Sequence, residues 1–374
     1  MQISGKTVTI DLDIFYPCLA VLAEMAHMSS IQPLHSAICH RIVNSPNPGS
    51  TPYPFPDGDA ANLVLLGDPL DTHVQDLRQW WPTGITDKVR HKLFRRIVRQ
   101  GYVLPNVTAI AFALLSTIYT TAPDSQSTRI RLQTGTKLIA DFGIVKGSAR
   151  VTNQDKLAYL MFDEEGEMVF EKGQDPNDHY WLYFTTISGE DVFLDCAMFT
   201  FNMCLLVASR PYINDVPCPD YVPAVYMNKE MSHTVPGKLH IERQRFSFLR
   251  HTGIHDAATH PAFGEEQLIS VATYMQQIAG GAMEPLWLKM LYAFIQQNVQ
   301  HLNNILVTKS WKTWPKTPSL GIEQDPGETT DAPNDDDMLD MMRKWNRKVR
   351  KGKMTHEQVG DAFNKWKAKH GIPD

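Results

Sequence analysis

One pair of residues in the 374-residue chain has the types and spacing for acid–base chemistry: His179 and Asp195, in "DHYWLYFTTISGEDVFLDC" at 178–196. A histidine working as general base needs a fixed tautomer. A carboxylate on its other ring nitrogen supplies that and steadies the imidazolium. The stretch reads as two strands around a turn at 187–190, so the histidine that opens one strand meets the aspartate that nearly ends the next. Trp181 shares the face of His179, because strand side chains alternate with period two, and is the candidate substrate-binding residue. The same residues have plainer roles: Asp195 can cap a helix beginning at Ala197, and His179 can simply follow the turn "DPND".

The elements around this pair follow from hydrophobic spacing and turn residues. "IVKGSARVT", "KLAYLMF", "EMVFEK", "HYWLYFTT" and "DVFLDC" read as strands of a small antiparallel sheet, with "EEGE" and "ISGED" as turns. Helical spacing of Ile130, Leu132, Leu138 and Ile139 predicts a helix over 127–143, and "AMFTFNMCLLVAS" (197–209) predicts a buried helix after the last strand. Further helices are expected within 6–43, over 86–101 and 107–121, and near 264–279 and 284–307. On 86–101, Val89, Leu93, Phe94, Ile97 and Val98 form an apolar stripe. Its basic residues Lys88, Arg90, Lys92, Arg95, Arg96 and Arg99 read as a solvated face.

The expected fold class is α+β, in four parts. Residues 1–120 form a mostly helical region with a proline-rich loop at 44–59. Residues 121–322 hold the sheet packed on a helix, with a helical extension. Residues 323–337 are an acidic flexible linker, and 338–374 are a basic helical hairpin with a Thr355…Gln358 capping box. A hydrophobic share of 43% and a net charge of −5 describe an ordinary globular chain and do not demand an anionic partner overall. The most apolar run, 109–119, is shorter than the roughly 20 residues a bilayer requires. Five cysteines without a CxxC pair, and no basic leader before the first apolar run, suit free thiols in a cytoplasmic, reducing setting.

A resemblance now enters. "LIADFGIVKGSARV", then His-x-Trp in "HYWLYF", then Asp in "VFLDC", is similar to the core of transglutaminase-like proteins, within the papain-like cysteine enzymes. The likeness covers about 125–200. It implies acyl transfer or amide and peptide hydrolysis on a protein or peptide substrate, with His179 as base and Asp195 as its orienter. The family's nucleophile is a cysteine at the start of the helix before "FGI", where the helix N-terminus lowers the thiol pKa. That place here reads "DSQSTRIRL", with Ser125, Ser127 and Thr128 and no cysteine. Three readings stay open: a core that has lost catalysis and acts in binding or assembly, a serine nucleophile at Ser127 or Ser125, or Cys39 completing the site from outside the core.

Other candidates are local. His251, His255, Asp256 and His260 could hold a metal, but Thr252-Gly253 weakens the helix that would align them and no HExxH pattern is present, so a polar surface segment is expected and no cofactor is assigned. From Arg343 to Lys369 ten Lys/Arg stand against Glu357 and Asp361. Arg343, Lys344, Arg347, Lys348, Arg350 and Lys351, with Trp345 and Trp366 near them, are candidates to dock an anionic partner, either nucleic acid or an acidic protein.

Overall fold

The structure is a computed structural model. It describes residues 7–46, 50–70, 76–120, 129–162, 167–213, 217–228, 239–260, 262–323 and part of the tail between 341 and 366. The chain is α+β. It opens with strand β1 (Thr7–Asp11) and helix α1 (Leu12–His27), then β2 (His40–Ile42), β3 (Tyr53–Pro54) and β4 (Ala60–Pro69). Helices α2 (Leu77–Trp80), α3 (Asp87–Val98) and α4 (Val103–Leu114) follow. The middle is β5 (Arg129–Thr134), β6 (Lys137–Ala149), β7 (Leu157–Phe162), β8 (Met168–Lys172), β9 (His179–Thr186) and β10 (Asp191–Asp195). Then come β11 (Leu205–Ala208), β12 (Tyr221–Pro223), β13 (Val225–Asn228) and β14 (His240–Ser247). The last elements are α5 (Thr252–Thr259), α6 (Glu265–Ala279), α7 (Pro285–Thr308) and β15 (Leu320–Ile322).

The main sheet runs β1-β5-β6-β9-β10-β13, with β14 also paired to the long β6. A second sheet is β2-β4-β7-β8 with β3 on β4, and a third is β12-β11-β15. Every residue of α4 is buried, as its largely apolar sequence "VLPNVTAIAFAL" predicts, with the buried amide of Asn106 donating to the Ala23 carbonyl. It packs with α1 and α7 against Ile144, Leu182 and Phe184 of the main sheet. The other face of that sheet carries a separate cluster that includes Val145, Trp181, Tyr183, Phe193, Phe201 and Met227.

Several expectations change. Residues 129–149 are a hairpin, not the helix predicted over 127–143. Ile130 and Leu132 alternate with polar residues, and Gly135, at φ +59°, makes the turn between the strands. Ile130 and Leu132, two apart, share one face of a strand and would lie on opposite sides of a helix. The expected helix at 197–209 is a short 3-10 turn, Met198–Phe201, ended by Asn202 in the left-handed region (φ 64°) before β11. The described part of the first 120 residues holds four strands beside four α-helices. Strands β1 and β4 pair in parallel with β5 and β7, so the expected N-terminal region and the central region share two sheets. Of the expected acidic linker, Glu323 is held by Arg95 at 2.7 Å, and 324–337 lie outside the described residues.

The basic face of α3 also departs from expectation. Lys92, Arg96 and Arg99 are buried. Arg99 forks onto the Glu24 carboxylate from α1 and donates to the Arg95 carbonyl, while Arg96 reaches the carbonyls of Thr200 and Asp155. Burial raises the pKa of Glu24, but the Arg99 guanidinium outweighs this and holds it below the usual carboxylate range. Burial, aided by Arg99, brings neighbouring His27 down to about 4. A buried ion pair is costly to break from one side, because the survivor stays desolvated. Arg99→Met is therefore expected to lower unfolding free energy by roughly 3–5 kcal/mol. Arg99→Met with Glu24→Leu should recover most of it, as read from urea midpoints.

Candidate functional site

The hairpin β9–β10 turns where expected, with Gly189 at φ +79° and Thr186 N–H bonded to the Glu190 carbonyl. Its register pairs Leu182 with Leu194 and Tyr183 with Phe193. Asp195 therefore stands level with Trp181, and His179 is its diagonal neighbour on the same face, within side-chain reach. His179 Nε2 lies 2.5 Å from Asp195 Oδ2. The pair expected from the sequence is formed, and both side chains are 0% exposed.

A third residue joins them. His240, the first residue of β14, places Nε2 at 2.7 Å from the same Oδ2, and its side chain is 3% exposed. Strand β6 brings it there: Gly147 pairs with His179 on one side, and Ala149 pairs with His240 on the other. The Trp181 ring sits 5.0 Å from His240 and 5.8 Å from His179. Only glycine fits at 147, because a Cβ would come within 2.4 Å of the Trp181 ring and 2.3 Å of the Ile241 carbonyl. The other carboxylate oxygen, Oδ1, accepts the Ala197 N–H at 2.8 Å. The capping role and the dyad are thus both present, one on each oxygen.

Burial by itself pushes the Asp195 carboxyl up. The charge and hydrogen bond of His179 and the hydrogen bond of His240 outweigh it and hold the group well below the usual carboxylate range. A buried carboxylate with three N–H donors is a satisfied anion. Each imidazole meets Oδ2 through its Nε2, and neither Nδ1 has a hydrogen-bond partner among the described residues. The His179 ring is flanked by Trp181 and Phe201, at 5.8 and 5.6 Å between centroids.

Two histidines and an aspartate are also a donor set that zinc takes, and these ligand atoms lie within 4.8 Å of one another. Two donors on one tetrahedral zinc stand about 3.3 Å apart, given metal–ligand distances of roughly 2.0–2.1 Å. Both nitrogens here are closer to the carboxylate than that. Metal-bound histidines also donate through their second nitrogen, and here that nitrogen meets no partner among the described residues. The arrangement fits two N–H donors converging on one anion.

The other sequence candidates separate. Ser125 and Ser127 lie outside the described residues. Cys39 is in the turn entering β2, in the second sheet, and does not reach the free nitrogen of His179. Cys196, beside Asp195, is a core thiol that burial pushes well above its ordinary pKa. His251 caps α5 by accepting the Ile254 N–H, and no metal cluster includes His251, His255, Asp256 or His260 among the described residues. His240 escaped the sequence reading because "HIERQRFS" is mostly polar and its strand has no apolar alternation to reveal it.

In the tail, Lys344, Arg347, Lys348 and Lys351 are exposed, Trp345 and Trp366 are buried, and Arg343 and Arg350 lie outside the described side chains. Gly352, at φ +63°, ends the first helical segment, and reciprocal Thr355–Gln358 bonds form the expected capping box. No single helix among the described residues is long and apolar enough to cross a membrane.

Comparison with family models, with curated proteins and with solved structures finds no match to this chain.

Asp195 holds its proton less readily in the folded chain than in the unfolded one. Its contribution to stability is complete above the unfolded carboxylate pKa of about 4 and is lost as pH falls below it. Asp195→Asn should destabilise the protein near neutral pH by roughly 1–3 kcal/mol. It should also flatten the loss of stability on acidification, as seen by comparing urea midpoints at about pH 7 and about pH 3.

Proposed function

We propose that this chain is a binding protein whose His–Asp core is structural and performs no acyl transfer. One observation carries the reading: His179 and Asp195 are sealed from solvent, and the free nitrogen of His179 meets no hydroxyl or thiol among the described residues. A general base must lie within hydrogen-bond reach of the proton it takes. The transglutaminase-like likeness further requires a nucleophile-bearing helix before "FGI", and residues 129–149 are strands. The likeness thus rests on the His-x-Trp and Asp strands, kept in a core that acts in binding or assembly. The whole protein should stay unlabelled by an electrophilic acyl probe, read by intact mass. Stoichiometric labelling that His179→Ala abolishes would restore the hydrolase or acyl-transfer reading.

The tail supplies the binding surface in this reading. Lys344, Arg347, Lys348 and Lys351 follow the i, i+3, i+4, i+7 spacing of one helix face, and all four are exposed. The buried Trp345 lies among them and anchors the segment. Such a face suits an anionic partner, nucleic acid or acidic protein. Retention of the protein on immobilised polyanion should fall with salt and disappear when 338–374 are removed; retention that survives truncation would sink the assignment.

A further inference from the structure

Strand β8 is an edge of the second sheet. β7 pairs with one side of it, and no strand among the described residues pairs with the other. Its sequence, "MVFEK", has no proline, glycine or bulge to blunt that edge. The strand at the other end of the sheet, β2, is only three residues long, and its register shifts between His40 and Ile42. All five residues of β8 are exposed. Met168 is exposed by 64% and Val169 and Phe170 by 40% each, and Phe162 across the ladder by 65%.

One bond sets the backbone directions. Gly173 donates its N–H to the Leu157 carbonyl, and the two residues stand opposite each other where the β7–β8 ladder begins. Directly bonded pairs alternate with unbonded pairs along an antiparallel ladder. Glu171 and Val169 therefore turn their N–H and C=O groups toward β7. Met168, Phe170 and Lys172 turn theirs to the open edge, where they meet no backbone partner among the described residues. The side chains of these three share one face of the sheet. The Phe170 ring stands edge to face on Phe55 at 5.0 Å, and Lys172 lies over the same Phe55 ring and bonds Asp57. The edge is thus ordered before anything docks on it.

Such an edge fits another strand, and its own charges select one. A second β8, run antiparallel about a two-fold axis, must set outward-turned residues against outward-turned residues. Three registers that overlap most of the strand do so, centred on Val169, Phe170 or Glu171. The first sets Glu167 opposite Glu171, and the third sets Glu171 opposite its own copy, both like-charge pairs. The register centred on Phe170 has no like charges opposite. It sets Phe170 against its own copy, Met168 against Lys172 and Val169 against Glu171.

We propose that the chain forms a two-fold dimer by antiparallel pairing of β8 with the β8 of a second copy, centred on Phe170. The main chain of Met168, Phe170 and Lys172 supplies the new ladder, and two phenylalanine rings meet at the axis. The pairing uses up both open edges, so the assembly closes at two copies. With five residues on each strand the contact is small, and the dimer dissociates on dilution. It involves neither the basic tail nor the sealed His–Asp pair.

Sedimentation equilibrium of the full chain across micromolar concentrations is expected to show monomer and dimer and nothing larger. Met168→Pro removes one outward N–H and spares the ladder to β7, and should raise the dissociation constant about tenfold. Phe170→Lys sets two cations against each other at the axis and should raise it by about as much, whereas Phe170→Tyr should change it less than about twofold. Phe170→Cys sets two thiols opposite each other at a Cα separation of about 5.5 Å, within disulfide reach. Mild oxidation should therefore link the copies through position 170, by peptide mapping, and should not link Val169→Cys to its own copy. A chain that stays monomeric throughout, a dimer indifferent to both Met168→Pro and Phe170→Lys, or linkage at 169 in preference to 170 would each overturn the assignment.

Discussion

A carboxylate without access to water must have its lone pairs filled from within the chain, and Asp195 meets that condition with three N–H groups from three separate segments. His179 brings β9, His240 brings β14, and Ala197 brings the turn that leaves β10. The anion thereby fixes where β14 sits on β6 and the direction in which the chain departs toward the Met198–Phe201 turn. Trp181 fills the space between the two rings, and Gly147 is the vacancy that admits it. In many enzymes a His–Asp pair is open on one side so that the imidazole can exchange a proton with substrate. Here the same bond is closed on every side, and its energy goes into holding four strands in register.

The second buried charge pair does comparable work at the opposite boundary. Arg99 and Glu24 join α3, which lies on the second sheet, to α1 in the main core. Arg96 and Arg95 add bonds to Thr200, Asp155 and Glu323. The guanidinium group suits this role because its several donors fit backbone carbonyls and a carboxylate together, and its charge never leaves it. The helix 87–98 therefore has two inward faces, one apolar and one cationic.

What was legible in the residues follows the range of the forces involved. The His179–Asp195 contact, the turn between their strands and the capping box at Thr355 are local patterns found where their spacing placed them, and the largely apolar helix expected over 107–121 begins four residues earlier, at Val103. His240 is a non-local partner inside a polar strand, and no local pattern announces it. The inward turn of Arg99 depends on Glu24, and that of Arg96 on the Thr200 and Asp155 carbonyls, all distant in sequence, so a basic helix face looked solvated. At 129–149 the spacing of two between Ile130 and Leu132 is that of a strand, and the left-handed Gly135 makes the turn that a continuous helix would lack.

The parallel pairings carry a kinetic consequence. Thr7 of β1 lies opposite Arg129 of β5, and Asn62 of β4 lies opposite Leu157 of β7. Neither contact can form until the distant second strand has been made, and each closes a long loop before its bonds repay the lost chain entropy. During that interval the apolar strand "NLVLL" has no lateral partner from β7. Until β7 is made, β4 is thus an apolar strand whose later neighbour is missing, and such a strand needs protection from self-association.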